Sequence, residues 1–194
     1  LISAEGGAPV VCHLDTGVMR SHVLLDASLT PEDLHTVVGV SGADMHPRGH
    51  GTLMAGLALF GDRLDTHLQS NDPVQLRHRL ESVRMKPGPH EVQINPLDYG
   101  SATIQAVALP EITTARRRVF ALTLSTRPDN PGDPTLWSAA IDALAVAAET
   151  TRDGDHFRLI SEPDPDVARL FVVAAGNVDS YVLEHADNSD LAAI

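Results

Sequence analysis

Cysteine is nearly missing from this sequence. Cys12 is the only one in 194 residues, which excludes an intrachain disulfide framework and a cysteine-based zinc ribbon. Basic residues are also scarce. Lys and Arg number 14 against 26 Asp and Glu, a formal net charge of −12. A nucleic-acid partner would favour a basic face, so none is expected. Lys86 is the only lysine, and the bias toward Arg reads as GC-rich codon usage without mechanistic content. No run approaches the roughly 20 apolar residues of a membrane-spanning helix, so no span is expected. The sequence opens on Leu1-Ile2 without an initiator Met or a charged-then-apolar targeting segment. It is therefore expected to be an internal piece of a longer protein, one partial domain over residues 1–194.

What is present is the composition of a folded domain, 43% hydrophobic and 21% charged, which argues against extensive disorder. Residues 10–14, Val-Val-Cys-His-Leu, form an apolar run between Pro9 and Asp15-Thr16-Gly17, the pattern of a buried strand ending in a tight turn. Residues 36–40, 81–86, 118–124 and 170–174 are further strand candidates. Helical spacing predicts helices over residues 50–60, 101–112 (interrupted near Pro110) and 136–148, with a short helical turn near 74–80. Residues 62–75 read as a surface excursion. Residues 87–96, 127–134 and 153–166 read as loops. Strands alternating with helices predict an α/β fold, doubly wound, with a mostly parallel sheet and helices on both faces. In such sheets functional groups collect beyond the carboxyl ends of the strands.

Three short motifs carry the candidate chemistry: Leu14-Asp15-Thr16-Gly17 after a strand, Gly49-His50-Gly51-Thr52 opening a helix, and Val172 to Asn177 ending a strand in Ala-Ala-Gly-Asn. Singly, each has a plain structural explanation. An Asp at a strand end is usually a cap or turn residue, a lone His is usually structural, and Asn after Gly suits a left-handed turn. Together and in this order, they resemble the subtilisin-like serine peptidases, the subtilases, which run aspartate, histidine, serine along the chain. The resemblance spans roughly residues 10 to 178.

The resemblance implies a fold and a set of roles. The fold is the subtilisin-like one, here incomplete. His50 becomes the general base that activates a serine hydroxyl and then protonates the leaving amine. Asp15 fixes the tautomer of His50 and stabilises its cation. Asn177 donates its side-chain amide to the developing oxyanion. Thr123, Leu124 and Ser125 become one side of a cleft for an extended peptide, and the loop 88–99 the other. No cofactor is required. A structural calcium ion is common in that family, with no ligand set assigned to it here. The expected partner is a peptide or protein substrate, and apolar surface left open by an incomplete domain predicts self-association.

The sequence also departs from the family pattern. Leu53-Met54 follow the His-Gly-Thr motif where a second His is frequent. The substrate strand ends Thr123-Leu124-Ser125-Thr126 where Ser-Leu-Gly is frequent. No Gly-Thr-Ser nucleophile motif occurs anywhere, and Ser180 and Ser189 lack that context. The nucleophile is therefore expected downstream of this chain, and the chain alone is expected to be inactive. Three other readings compete. An aspartic protease would need a second Asp-Thr-Gly or Asp-Ser-Gly, in this chain or a dimer partner, and an all-β fold. A metal site at His46 and His50 is disfavoured by Pro47 and Gly49 between them. A catalytically inactive subtilase-like module that only binds peptides or proteins would lack the downstream serine. For the peptidase reading, an Asp15 carboxylate oxygen should lie within about 3.2 Å of a His50 ring nitrogen.

Overall fold

A strand that is apolar on both faces belongs in the middle of a sheet covered on both sides. β1 (Val10–Asp15) is that strand, and five of its six residues are buried. The computed structural model describes residues 1–125, 133–154 and 156–176. β1 is flanked by β3 (Arg79–Arg84) and β4 (Arg118–Leu122), both parallel to it. β2 (Leu34–Thr36) and β7 (Leu170–Val173) lie outside them, and the sheet order is β2-β3-β1-β4-β7, parallel throughout. The chain leaves β1 toward β2 and β3, then crosses back to β4 and β7. The order thus reverses beside β1, and connections diverging from such a reversal leave a crevice at the carboxyl ends of the strands. Asp15 is the last residue of β1 and stands at that crevice.

Alternation along the strands sends one set of side chains to each face. Cys12 and Leu14, Val83, Phe120 and Leu122 face α3 (Tyr99–Thr113) and α4 (Leu136–Ala145) in one core. There the Trp137 indole stacks on Tyr99 and donates to the Thr103 hydroxyl at 2.7 Å. Val11, Leu34 and Leu80 face α1 (His50–Phe60), which contributes Ala55, Leu59 and Phe60 to the second core. Helices therefore cover both faces, as expected of a doubly wound sheet. Beyond β4, no helix among the described residues packs on the second face. Leu170 and Val172 of β7 are more than half exposed there, whereas Phe171 stacks on Phe120 beneath.

Several elements differ from the sequence reading. The strand expected at 36–40 lies earlier, at Leu34–Thr36, with residues 37–40 in bends. Residues 74–80 form no helical turn: Ile2 exchanges backbone hydrogen bonds with Val74 and Leu76 (2.9 and 3.0 Å), and residues 77–78 bend into β3. The excursion at 62–75 contains a short helix, α2 (Leu64–Gln69). α3 runs through Pro110 without a break. Pro110 gives up the N–H that would close on Ala106, and the end of the helix is held instead by Thr114 N–H on the Pro110 carbonyl (3.1 Å) and by the Arg118 guanidinium, which donates to the Pro110 and Thr114 carbonyls at 2.8 and 2.5 Å. The loop expected at 153–166 begins instead as an antiparallel hairpin, β5 (Thr150–Asp153) and β6 (His156–Leu159). Most of its side chains are exposed, so no apolar alternation announces it.

At the amino end of the sheet, charges are buried. Glu81 is 1% exposed and takes two hydrogen bonds from Arg118 (2.6 and 2.9 Å) and one from Arg116 (2.9 Å). Arg116 also reaches Asp33 at 2.6 Å, and Arg79 reaches Asp33 at 3.0 Å. Cys12, beside Glu81 across the β1–β3 ladder, is fully enclosed. Burial, reinforced by the Glu81 charge, pushes its thiol pKa well up, so Cys12 behaves as a small inert hydrophobe. Among the described residues, no helix is long and apolar enough to cross a membrane.

Candidate active site

Asp15 is wholly buried, yet it ends a strand at the crevice, and its carboxylate is saturated with donors. The Thr16 N–H donates to Oδ1 at 2.6 Å, and the Thr123 hydroxyl donates to Oδ2. The His50 ring meets Oδ1 through Nδ1 at 2.9 Å, inside the expected distance. Burial alone would raise the Asp15 pKa. His13 beside it, the Thr123 hydroxyl and His50 outweigh that effect and hold the carboxyl well below the usual carboxylate range. An ionised acceptor at Nδ1 assigns the proton to that nitrogen and leaves Nε2 as the basic one. The His50 side chain is 36% exposed while Asp15 is closed off. One partner is thus sealed and the other is open to a reactant.

The placement of His50 follows from how α1 starts. Gly49 occupies the N-cap in a left-handed conformation and offers no side-chain acceptor. The orphan N–H groups of the first turn are satisfied from other segments. The Thr16 hydroxyl accepts from Gly51 N at 2.9 Å, and the Asp44 carboxylate accepts from Thr52 N at 2.8 Å. Asp44 also takes the Thr16 and Thr52 hydroxyls (2.9 and 2.7 Å) and His46 N (3.0 Å), so one carboxylate joins the β1 turn to the helix start. Its negative charge suits the positive end of the helix dipole. Gly51 is required by contact, since a Cβ there would lie 2.0 Å from the Gly17 carbonyl oxygen. Nothing in the sequence marked Asp44, whose position six residues before His50 matches no capping pattern. Asp44→Ala is expected to destabilise the fold by about 1 kcal/mol, the usual worth of an N-cap acceptor, read as a shift of the urea midpoint.

The other sequence candidates scatter. Thr123 turns its hydroxyl toward Asp15, so its side chain belongs to the carboxylate's shell. The Leu124 side chain is 8% exposed and packs in the core with Trp137. Ser125 is exposed just past the end of β4. Asn177 lies outside the described residues. The loop after β3 approaches the site from the other side. Together with Thr16, Met45, His46 and Pro47, residues 86–89 and Gln93 line a cavity of about 290 Å³. The His46 ring meets the His50 ring edge to face at 5.6 Å. No group of three or more metal-binding side chains assembles among the described residues.

That loop is anchored by Arg84, a wholly buried cation at the end of β3. It donates to Glu91 (2.6 and 3.0 Å) and to the Val38 and Ser41 carbonyls (both 2.6 Å). The Arg84 hydrogen bonds, aided by Gly88 N–H, lower the Glu91 pKa from 4.5 to about 2. A folded-state pKa below the unfolded one gives stability that is present at higher pH and lost as pH falls through the folded value. Stability is therefore expected to decline from pH 4.5 down to about 2 as Glu91 protonates, with Asp15 adding to the loss at the acid end. Glu91→Gln should flatten that decline in urea titrations repeated across the pH range.

A family model described as the subtilase family, Peptidase S8, matches residues 6–192. The chain belongs to the subtilase family. No curated protein and no solved structure matches it. Membership makes this a serine peptidase-like domain, and the parallel sheet with helices on both faces agrees with the subtilisin-like fold. Within this subtilase chain, the Asp-Thr-Gly and His-Gly-Thr motifs meet in space at the carboxyl end of β1.

Proposed function

We propose that this chain supplies the acid–base half of a serine endopeptidase, whose nucleophilic serine lies downstream of residue 194. The observation that carries this reading is the 2.9 Å contact between a buried, ionised Asp15 and the Nδ1 of a half-open His50. With Nδ1 committed, Nε2 is free to take the serine proton as the hydroxyl attacks the peptide carbonyl. The same nitrogen returns that proton to the departing amine. Asp15 stabilises the imidazolium formed between these steps, and Asn177 donates to the tetrahedral oxyanion. An extended substrate lies along residues 123–125, with a side chain reaching the cavity beside His46 and Lys86.

The test uses the longer chain that contains the serine, in a peptide-hydrolysis assay together with covalent labelling by a serine-directed phosphonate. Hydrolysis and labelling, both abolished by His50→Ala, are expected. The 194-residue chain should show neither. Peptide binding without labelling would overturn the enzyme reading in favour of a binding module. Cleavage by the 194-residue chain itself would overturn the downstream serine.

The partner we propose besides substrate is a second copy of the chain, through the open face of β7. Leu170 and Val172 present apolar surface there. The weight-average mass in sedimentation equilibrium is expected to rise with concentration, and Leu170→Lys with Val172→Lys should suppress the rise.

A further inference from the structure

We propose that His13 is a positioning residue for the Asp15–His50 pair, a second imidazole that holds the far oxygen of the carboxylate while His50 uses the near one. The inference rests on reading that pair as peptidase machinery and adds a residue to it.

Residues two apart on a strand share a face, so β1 places His13 directly behind Asp15. His13 is 1% exposed, and its Nε2 lies 3.3 Å from Asp15 Oδ2. The approach angle falls outside hydrogen-bond geometry, and neither ring nitrogen has another partner among the described residues. The neighbouring position on β3 is Ser82, whose buried hydroxyl is also unpartnered, and the neighbour on β4 is Ala121. A buried imidazole without a partner is unfavourable, since its polar atoms have given up water for nothing. Among the described residues, its ion-pair partner is the Asp15 carboxylate. The other charged and polar groups near that carboxylate are engaged. His50 of α1 holds Oδ1, and Thr123 of β4 supplies a hydroxyl. Arg84, beside Asp15 on β3, is committed to Glu91 and two backbone carbonyls.

Two effects follow from a ring at Oδ2. A carboxylate turns easily about its last side-chain bond, and holding both oxygens fixes the plane that His50 meets. A donor at Oδ2 also draws charge from Oδ1, which tempers Asp15 as an acceptor for the Nδ1 proton of His50. Both effects are readable in the 194-residue chain by NMR, with no nucleophile required. In His13→Leu, the titration midpoint of the Asp15 carboxyl carbon should rise, and the His50 Nδ1 proton should move downfield. His13→Gln keeps an N–H donor and should stay close to wild type in both signals.

A folded His13→Leu variant with both signals unmoved would overturn the proposal, as would His13→Gln disturbed as strongly as His13→Leu. Should His13→Leu not fold, the wild-type chain decides through the ¹⁵N shift of His13 Nε2. A protonated nitrogen supports the proposal, and an unprotonated one overturns it. Loss of peptide cleavage in the longer chain, with these signals as expected, would count against the peptidase reading alone.

Discussion

In the longer chain proposed to carry the serine, Asp15→Asn is expected to lower turnover by about 10⁴, the size of that change in another triad protease, with KM little altered. The local geometry says why neither orientation of the amide rescues the reaction. With its NH₂ at the Oδ1 position, the amide faces two donors, Thr16 N–H and His50 Nδ1, and pushes the imidazole into the tautomer with its proton on Nε2. That ring cannot accept the serine proton. With its NH₂ at the Oδ2 position, the amide faces the Thr123 hydroxyl, which rotates to accept, and opposes the proposed His13 donor, while His50 keeps its tautomer. The charge that stabilises the imidazolium is still gone. Stopped-flow turnover and KM on the variant check this, and wild-type turnover would remove Asp15 from the mechanism.

Glu81→Ala is expected to cost about 3–5 kcal/mol, the loss typical when one member of a buried ion pair is removed. That is a large share of the roughly 5–15 kcal/mol that holds a domain together. Arg118, 5% exposed at its side chain, would be left with a buried positive charge and only carbonyls to meet it. Arg116 would keep Asp33 and lose its second carboxylate. Replacing both members, Glu81→Leu with Arg118→Leu, should recover much of the loss, because desolvation is then no longer paid by an unpaired ion. Equilibrium unfolding in urea measures both. The network sits at the opposite end of the sheet from Asp15, so the Asp15–His50 contact should survive in the folded fraction.

The order of the fold was legible where burial writes a pattern. β1, β4 and β7 are apolar runs that make the α/β class legible, and the Asp15–His50 meeting follows from the resemblance that the three motifs carry together. The hairpin of β5 and β6 is not legible, since most of its side chains face water and carry no apolar period, although Asp153-Gly154 is a turn signal. Asp44 was invisible for a different reason. It satisfies the first turn of α1 from a separate segment, and local capping patterns register only residues adjacent to the helix. The resemblance puts Thr123 at the substrate cleft, and the sequence does not show that its hydroxyl also turns onto Asp15. His13 read as one apolar-run residue among five, and only the β1 register reveals what stands beside it.

The fastening of α1 to the β1 turn by Thr16, Asp44 and Thr52 bears on timing during synthesis. The residues that fasten α1 to the β1 turn fall between positions 16 and 52, and the strand that supports β1 on that side ends at Arg84. Domains made on the ribosome fold from the amino end at about 5–20 residues per second. The imidazole and its carboxylate can thus be mated seconds before β7 is translated. On the proposed reading, the proton acceptor is then in place before the nucleophile, and the nascent chain is spared cleavage in between.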